Sequence, residues 1–187
     1  KSVPEVKGTA VFKEDQLKYF LDEEESKTAL LIMDQLKGGI LTLGEESATS
    51  PNSTMRIALE IYNSKAKIKP SLQNGSLTME IEAELEAGVA ELAGSKNYLN
   101  KDKRELLAKD TGTMLENRIN TLIGKTQNLY STDIFGFDGK VKSQMPDYWR
   151  KHESDWDMIY KNLKIVPKVK VNLTLSAYTS KPIMIGK

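Results

Sequence analysis

Hydrophobic and polar positions alternate most regularly in the middle of the chain. Asn74-Gly75 is a pair in which both residues accept positive φ, so it closes a two-residue hairpin and fixes which positions face each other. Lys69 then faces Glu80, Lys67 faces Glu82 and Lys65 faces Glu84, while Leu72 meets Leu77, Ile68 meets Ile81 and Ala66 meets Ala83. One face is a ladder of opposite charges in water, and the other is apolar and turns toward a core. Three lysines in a row are also what an anion site would use. Their three glutamate partners favour mutual neutralisation on a solvated face, each pair adding only ~0.2–1 kcal/mol. Upstream, Met55, Ile57, Leu59 and Ile61 are apolar at odd positions, whereas the inward residues of the hairpin's first strand are even. The parity therefore changes near residues 62–64, where a bulge or sharp bend is expected. Strands of this length predict a curved, strongly twisted antiparallel sheet.

The flanking segments supply the remaining elements. Thr9–Lys13 and Gln16–Leu21 predict two short strands around a Glu14-Asp15 turn, a pair not ideal for that role. Asp22 with Glu25 fits a capping box. Ala29, Leu30, Ile32, Met33 and Leu36 continue as the apolar stripe of a helix that Gly38-Gly39 should stop. Ile40–Leu43 reads as a strand, and residues 44–54 as a polar loop. Residues 101–130 predict a long helix, with Asp102 and Glu105 as a second capping box. Its apolar stripe is Leu107, Met114, Leu115, Ile119, Leu122, Ile123 and Leu129, with Glu116, Asn117, Asn120 and Thr121 opposite. That stripe should cover the apolar face of the sheet. Gly112 and Gly124 either weaken the helix or let something pack closely. In the last element, residues 166–178, Val169, Val171, Leu173 and Leu175 alternate against Lys168, Lys170, Asn172 and Thr174, which predicts a strand beside an earlier one. The fold class expected is α+β: a curved, mainly antiparallel sheet packed against a long helix, with a short aromatic-rich helical cap.

Composition removes several kinds of chemistry. With 187 residues the chain is long enough for one sizeable core. Lys and Arg number 27 against 26 Asp and Glu, a balance that argues against a nucleic-acid partner. There is no cysteine, which excludes disulfides, thiolate metal sites and a cysteine nucleophile. His152 is the only histidine, and it lies between Arg150-Lys151 and Glu153-Ser154, a setting that favours an ordinary surface or interface residue over a catalytic base. Asp155 and Asp157 sit two apart, so on a helix they point away from each other and do not share a metal. Asp133, Asp138 and Gly139 lack the alternating ligands and closing glutamate of a calcium loop, and Asp138-Gly139 reads more simply as a turn. The sequons at Asn52, Asn74 and Asn172 matter only in a secreted eukaryotic protein. No phosphate-binding glycine loop and no Gly-x-Ser-x-Gly turn is present, and no apolar run approaches the ~20 residues of a membrane helix. No cofactor, metal or catalytic residue is therefore expected.

The aromatic residues concentrate in residues 133–160, which hold Phe135, Phe137, Tyr148, Trp149, Trp156 and Tyr160, among them both tryptophans of the chain. Such a cluster is either the hub of a core or the edge of a binding surface. Trp149, Trp156 and Tyr160 fall on one face if their helix is unbroken, and a core-facing stripe is favoured over a partner surface. Pro146 suits the first turn of that helix, and Gly136 and Gly139 the loop before it. The six aromatics are the candidate partner interface, through whatever edges the core leaves exposed.

This block carries a resemblance. Asp133-Ile134-Phe135-Gly136-Phe137, followed by Pro146, Trp149 and Asp155-Trp156-Asp157, resembles the C-terminal domain of the Ger(x)C spore germination proteins. These are the C subunits of nutrient germinant receptors in spore-forming Bacillota. Gly8-Thr9-Ala10-Val11-Phe12, Gly38-Gly39-Ile40, Ala66-Lys67-Ile68-Lys69-Pro70 and the final Val-Lys-Val strand fall in the family's order, so the resemblance covers nearly the whole chain. The chain departs from it at Asp138, where a small residue is expected, and at Lys181–Lys187. The resemblance implies that residues 1–187 form a single domain, the C-terminal domain of a longer lipoprotein. It implies a non-enzymatic subunit that works with membrane-embedded A and B subunits, on the outer face of the spore inner membrane, where a palmitate-type lipid anchor absent from this chain holds it. The alternative is a nutrient-sensing domain of the same complex.

Overall fold

The computed structural model of the protein describes residues 8–43, 57–92 and 100–174. The expected loop at 44–54, the inward Met55 and the end of the last strand lie outside the described residues. In chain order the elements are β1 (Thr9–Lys13), β2 (Gln16–Leu21), α1 (Glu23–Ile32), β3 (Gly39–Leu43), β4 (Ile57–Gln73), β5 (Ser76–Leu92), α2 (Lys101–Lys125), α3 (Phe137–Gln144), α4 (Pro146–His152), α5 (Trp156–Lys161) and β6 (Lys164–Thr174). β1 and β2 form a small antiparallel sheet, and the main sheet runs β3-β4-β5-β6.

The β4–β5 hairpin has the register that its turn dictates. Asn74 and Gly75 take φ of 51° and 80°, and Lys69↔Glu80, Lys67↔Glu82, Lys65↔Glu84, Ile68↔Ile81 and Ala66↔Ala83 pair as expected. The pairing slips between Ile61 and Asn63, so Tyr62 is the extra residue of a bulge that brings the odd-numbered apolar run onto the even-numbered face. Tyr62 then lies across Gly88, where a Cβ would collide with its ring. β6 joins parallel to β5, so the sheet is mixed. This pairing extends the charge ladder. Lys168 and Lys170 of β6 bind Glu80 and Glu84, and Lys69 of β4 binds Glu82, placing a row of glutamates between two rows of lysines. The Asn172 amide and the Lys170 ammonium hold the Glu84 carboxyl below its ordinary value.

The opposite face is the core. Ile68, Leu77, Met79 and Ile81 of the sheet pack with Ile119, Leu122 and Ile123 of α2, while Ala83, Leu85, Ala87 and Val171 pack with Leu107 and Leu115. Each such large side chain contributes about 1.5–3 kcal/mol by leaving water. α1 lies beside α2, where Glu24 meets Arg118 and Glu25 meets Lys125 at 2.6 Å. The Asp22/Glu25 capping box forms.

Three boundaries differ from expectation. α1 ends at Ile32 rather than at Gly38-Gly39, since Asp34 takes φ of 61° and its carboxylate accepts the Ala66 N–H at 2.8 Å. α2 is capped by Asn100, whose side chain accepts the Asp102 N–H, rather than by Asp102. After Lys125 the helix widens into a π turn, Thr126–Tyr130, whose i→i+5 bonding rotates the side chains that come after it. Leu129 is consequently 68 % exposed and off the apolar stripe, and Tyr130 stacks on Tyr19 instead.

Two margins of the main sheet are closed to further pairing, the part of β4 that runs past β3 and the outer side of β6. On β4, the residues facing away from β5 meet side chains: Asp34 takes the Ala66 N–H, and the Gln144 amide donates to the Ile68 carbonyl at 3.3 Å. Pro70, two residues further on the same side, has no N–H to expose. On β6, the Val169 N–H goes to Glu116 of α2 at 2.9 Å, and Pro167 again removes an outward donor. Gly112 faces the Val169 carbonyl so closely that a Cβ would stand 2.7 Å from its oxygen. Gly124 has nothing within 4 Å of the same position. Gly112→Ala should therefore lower unfolding stability by about 1–3 kcal/mol through overpacking, and Gly124→Ala should raise it by about 0.5–1 kcal/mol. Urea denaturation of the two variants checks both signs.

Candidate interaction surface

The aromatic block folds inward. Phe137 and Tyr160 are almost wholly buried, and Phe135, Trp149 and Trp156 are buried with them in the cluster that includes Leu77, Met79 and Ile123. The helix expected to carry Trp149, Trp156 and Tyr160 on one face is broken by a 3₁₀ turn at Glu153–Asp155. α4 and α5 nevertheless bring the two indoles together, with ring centroids 5.4 Å apart. Phe135 and Phe137 pack at 5.3 Å, and Phe137 and Tyr160 at 6.3 Å. Pro146 starts α4 as expected.

The π turn fastens this cap to the sheet. The Thr126 hydroxyl donates to the Ile123 carbonyl, so Tyr160 donates its own O–H to Thr126, at 2.6 Å. Burial pushes the Tyr160 phenol well above its ordinary range. The Gln127 amide donates to the carbonyls of Tyr160 and Leu163, both at 2.9 Å, just before β6 begins. Asp133 organises the entry to α3. Its carboxylate accepts the N–H groups of Phe135 and Asp138 at 3.1 and 2.9 Å, and burial raises its pKa. Asp138 and Gly139 lie in the first turn of α3 rather than in a separate turn, and Gly136, at φ 70°, makes the bend before it.

Of the six candidate interface residues, only Tyr148 is half-buried rather than buried, its ring tilted against His152 with centroids 4.2 Å apart. A group of exposed apolar side chains lies on the first hairpin. In β1 and β2, Val11, Tyr19 and Leu21 face the core, and burial pushes the Tyr19 phenol up to about 12. The pairs Phe12↔Leu17 and Ala10↔Phe20 form the other face, with Phe12 57 %, Leu17 47 % and Phe20 68 % exposed. Neighbouring exposed apolar residues on one sheet face mark an interaction surface. The sequence does carry a signal for this face: Ala10, Phe12, Leu17 and Phe20 are apolar at positions that a half-buried hairpin would make polar.

Beside this face runs a groove of about 290 Å³, walled by Thr9–Phe12 on one side and Thr132–Ile134 on the other, with Ala29 and Leu30 of α1 and its C-cap Met33 as its floor. Ser26 also lines it, and its hydroxyl is buried without a partner. Among the described residues, no group of three His, Cys, Asp or Glu side chains could hold a metal. No described helix is long and apolar enough to cross a membrane.

These features define an α+β module: a mixed sheet closed against one long helix and capped by buried aromatics. A family model described as "Spore germination B3/GerAC like, C-terminal" matches residues 7–176, and the chain belongs to that family. It is similar to Spore germination protein B3 of Bacillus subtilis, 28% identical over 75% of this chain and 36% of that protein. It is also similar to Spore germination protein KC of the same organism, 22% identical over 95% of this chain and 41% of that protein. The crystal structure of the GerBC protein superposes with a TM-score of 0.76 at 25% identity, over 89% of this chain and 51% of that one. The chain thus spans about two-fifths of the length of these curated relatives.

Because the indole is part of the core, Trp156→Ala should cost about 3–5 kcal/mol. Tyr148→Ala, at the rim, should cost under about 1 kcal/mol. Thermal unfolding of the two variants separates core aromatics from surface ones.

Proposed function

We propose that this chain is the docking part of a nutrient germinant receptor's C subunit, a non-enzymatic component required for spore germination through protein–protein contact. In this reading it is one domain, the C-terminal domain of a longer lipoprotein. A lipid anchor outside this chain holds that protein on the outer face of the spore inner membrane, and its partners are the membrane-embedded A and B subunits.

The observation that carries the proposal is the outer face of the β1–β2 hairpin. Phe12, Leu17 and Phe20 stand exposed on an element whose other face is fully used by the core. Family membership supplies the biological setting. Tyr148, at the rim of the aromatic cap, is a second candidate contact. The other five aromatics of that block, Phe135, Phe137, Trp149, Trp156 and Tyr160, support it from below.

The make-up of this groove supports docking over nutrient sensing at that place. Its walls and floor are mostly apolar, the Asp133 oxygens already accept backbone N–H groups, and the Thr132 hydroxyl is engaged by the Tyr130 carbonyl. An amino acid or a sugar needs several convergent free polar groups.

The double variant Phe12→Ser/Phe20→Ser tests the proposal. It should leave the melting temperature nearly unchanged and reduce capture of the A and B subunits at least about tenfold, the loss of one hot spot worth about 1.4 kcal/mol. Undiminished capture by a folded double variant refutes the hairpin face as the docking site.

A further inference from the structure

We infer that the outer edge of β1 receives an extended segment from the region that precedes this domain in the longer family members, completing a three-stranded sheet. The edge itself is the first observation. Lys13 and Gln16 close a two-residue hairpin, so they exchange their backbone bonds, and Thr9, Val11 and Lys13 turn toward β2. Ala10 and Phe12 turn their N–H and C=O groups the opposite way, into the groove. Among the described residues no other strand pairs with β1, and the facing wall, Thr132–Ile134, is not a strand.

The contrast with the main sheet gives this edge its meaning. Free edges invite pairing, and proteins block those that must stay unpaired. Here β4 is blocked by Asp34, Gln144 and Pro70, and β6 by Glu116, Gly112 and Pro167. β1 has none of these devices. Its groove instead offers what an added strand uses: outward backbone groups on one side, the apolar floor of Ala29, Leu30 and Met33 for alternate side chains, and the unpartnered Ser26 hydroxyl.

The occupant is indicated by where the remaining chain lies. The family match is to a C-terminal region, and the relatives extend well beyond it, with 36% to 41% of their length covered. β1 is the first strand of the match, so preceding chain would reach the domain at Gly8, the end of this groove. A segment tethered there binds at high effective concentration. A lipid surface fits less well. The hairpin tip is Glu14-Asp15, and the Lys13 ammonium is already held by Asp157 at 3.1 Å, which leaves little to attract anionic headgroups.

The edge and the outer face are separate surfaces. A third strand widens the sheet and leaves Phe12, Leu17 and Phe20 free for the docking proposed above, so the two ideas fail separately.

Amide hydrogen exchange decides the matter, measured on the chain together with the preceding region that its relatives carry. The Ala10 and Phe12 amides should exchange at least about a hundredfold more slowly than unstructured amides. Ala10→Pro imitates Pro70 and Pro167, and spares pairing with β2. It should abolish protection of Phe12, while melting temperature and capture of the A and B subunits stay as in the unsubstituted protein. Exchange of both amides at unprotected rates in the unsubstituted long chain overturns the inference, whatever the variant does. So does protection that appears only with phosphatidylglycerol vesicles, which assigns the edge to a membrane. Protection that disappears on dilution assigns it to a second copy and overturns it equally.

Discussion

The Asn74-Gly75 turn is the constraint on which the sheet rests. It commits two seventeen-residue strands to one register, and in a strand a slip of one residue exchanges the two faces. A slipped β4 would carry Lys65, Lys67 and Lys69 toward Ile119 and Leu122 of α2 and expose Ile68. The turn alone does not suffice along the whole length. Beyond Ile61 the apolar residues sit on the other parity, and the bulge at Tyr62 reconciles them. The glutamate row that β5 presents to Lys168 and Lys170 is a further consequence of the same register.

What was legible in the sequence was what local chemistry decides. The β4–β5 pairs, the bulge, the Asp22 capping box and the β1–β2 strands each arise from a turn, a parity or a cap within a few residues. Most of the misplaced details share the opposite property. Asp34 ends α1 because of Ala66, thirty-two positions away. The π turn that exposes Leu129 is held by Thr126 and Gln127 through Tyr160 and Leu163. The parallel arrangement of β6 depends on a crossover through α2 and the aromatic cap, so the alternation of Val169 and Val171 with lysines told its burial but not its direction.

The aromatic block shows the same division at the level of the site. Six aromatic residues in one stretch announce a large buried area, but not which molecule buries it. Here the domain's own sheet and α2 bury five of the six. A cluster of exposed apolar side chains is instead on a hairpin whose two faces are both hydrophobic, a pattern less conspicuous than a pair of tryptophans. The organisation that results separates roles: the cap anchors the long helix and the last strand, and the first two strands remain available at the periphery.

The parallel placement of β6 bears on how the domain comes together. The β4–β5 hairpin joins near neighbours, whereas Lys168 reaches Glu80 across 88 positions. Pairings so remote in the chain form late, after shorter loops have closed. During synthesis the hairpin and α2 emerge while the strand that will cover the far edge of β5 is still unmade. Until it arrives, the edge of β5 and the apolar flank of α2 stay open, so completion of the domain is tied to β6, the last of these strands to leave the ribosome.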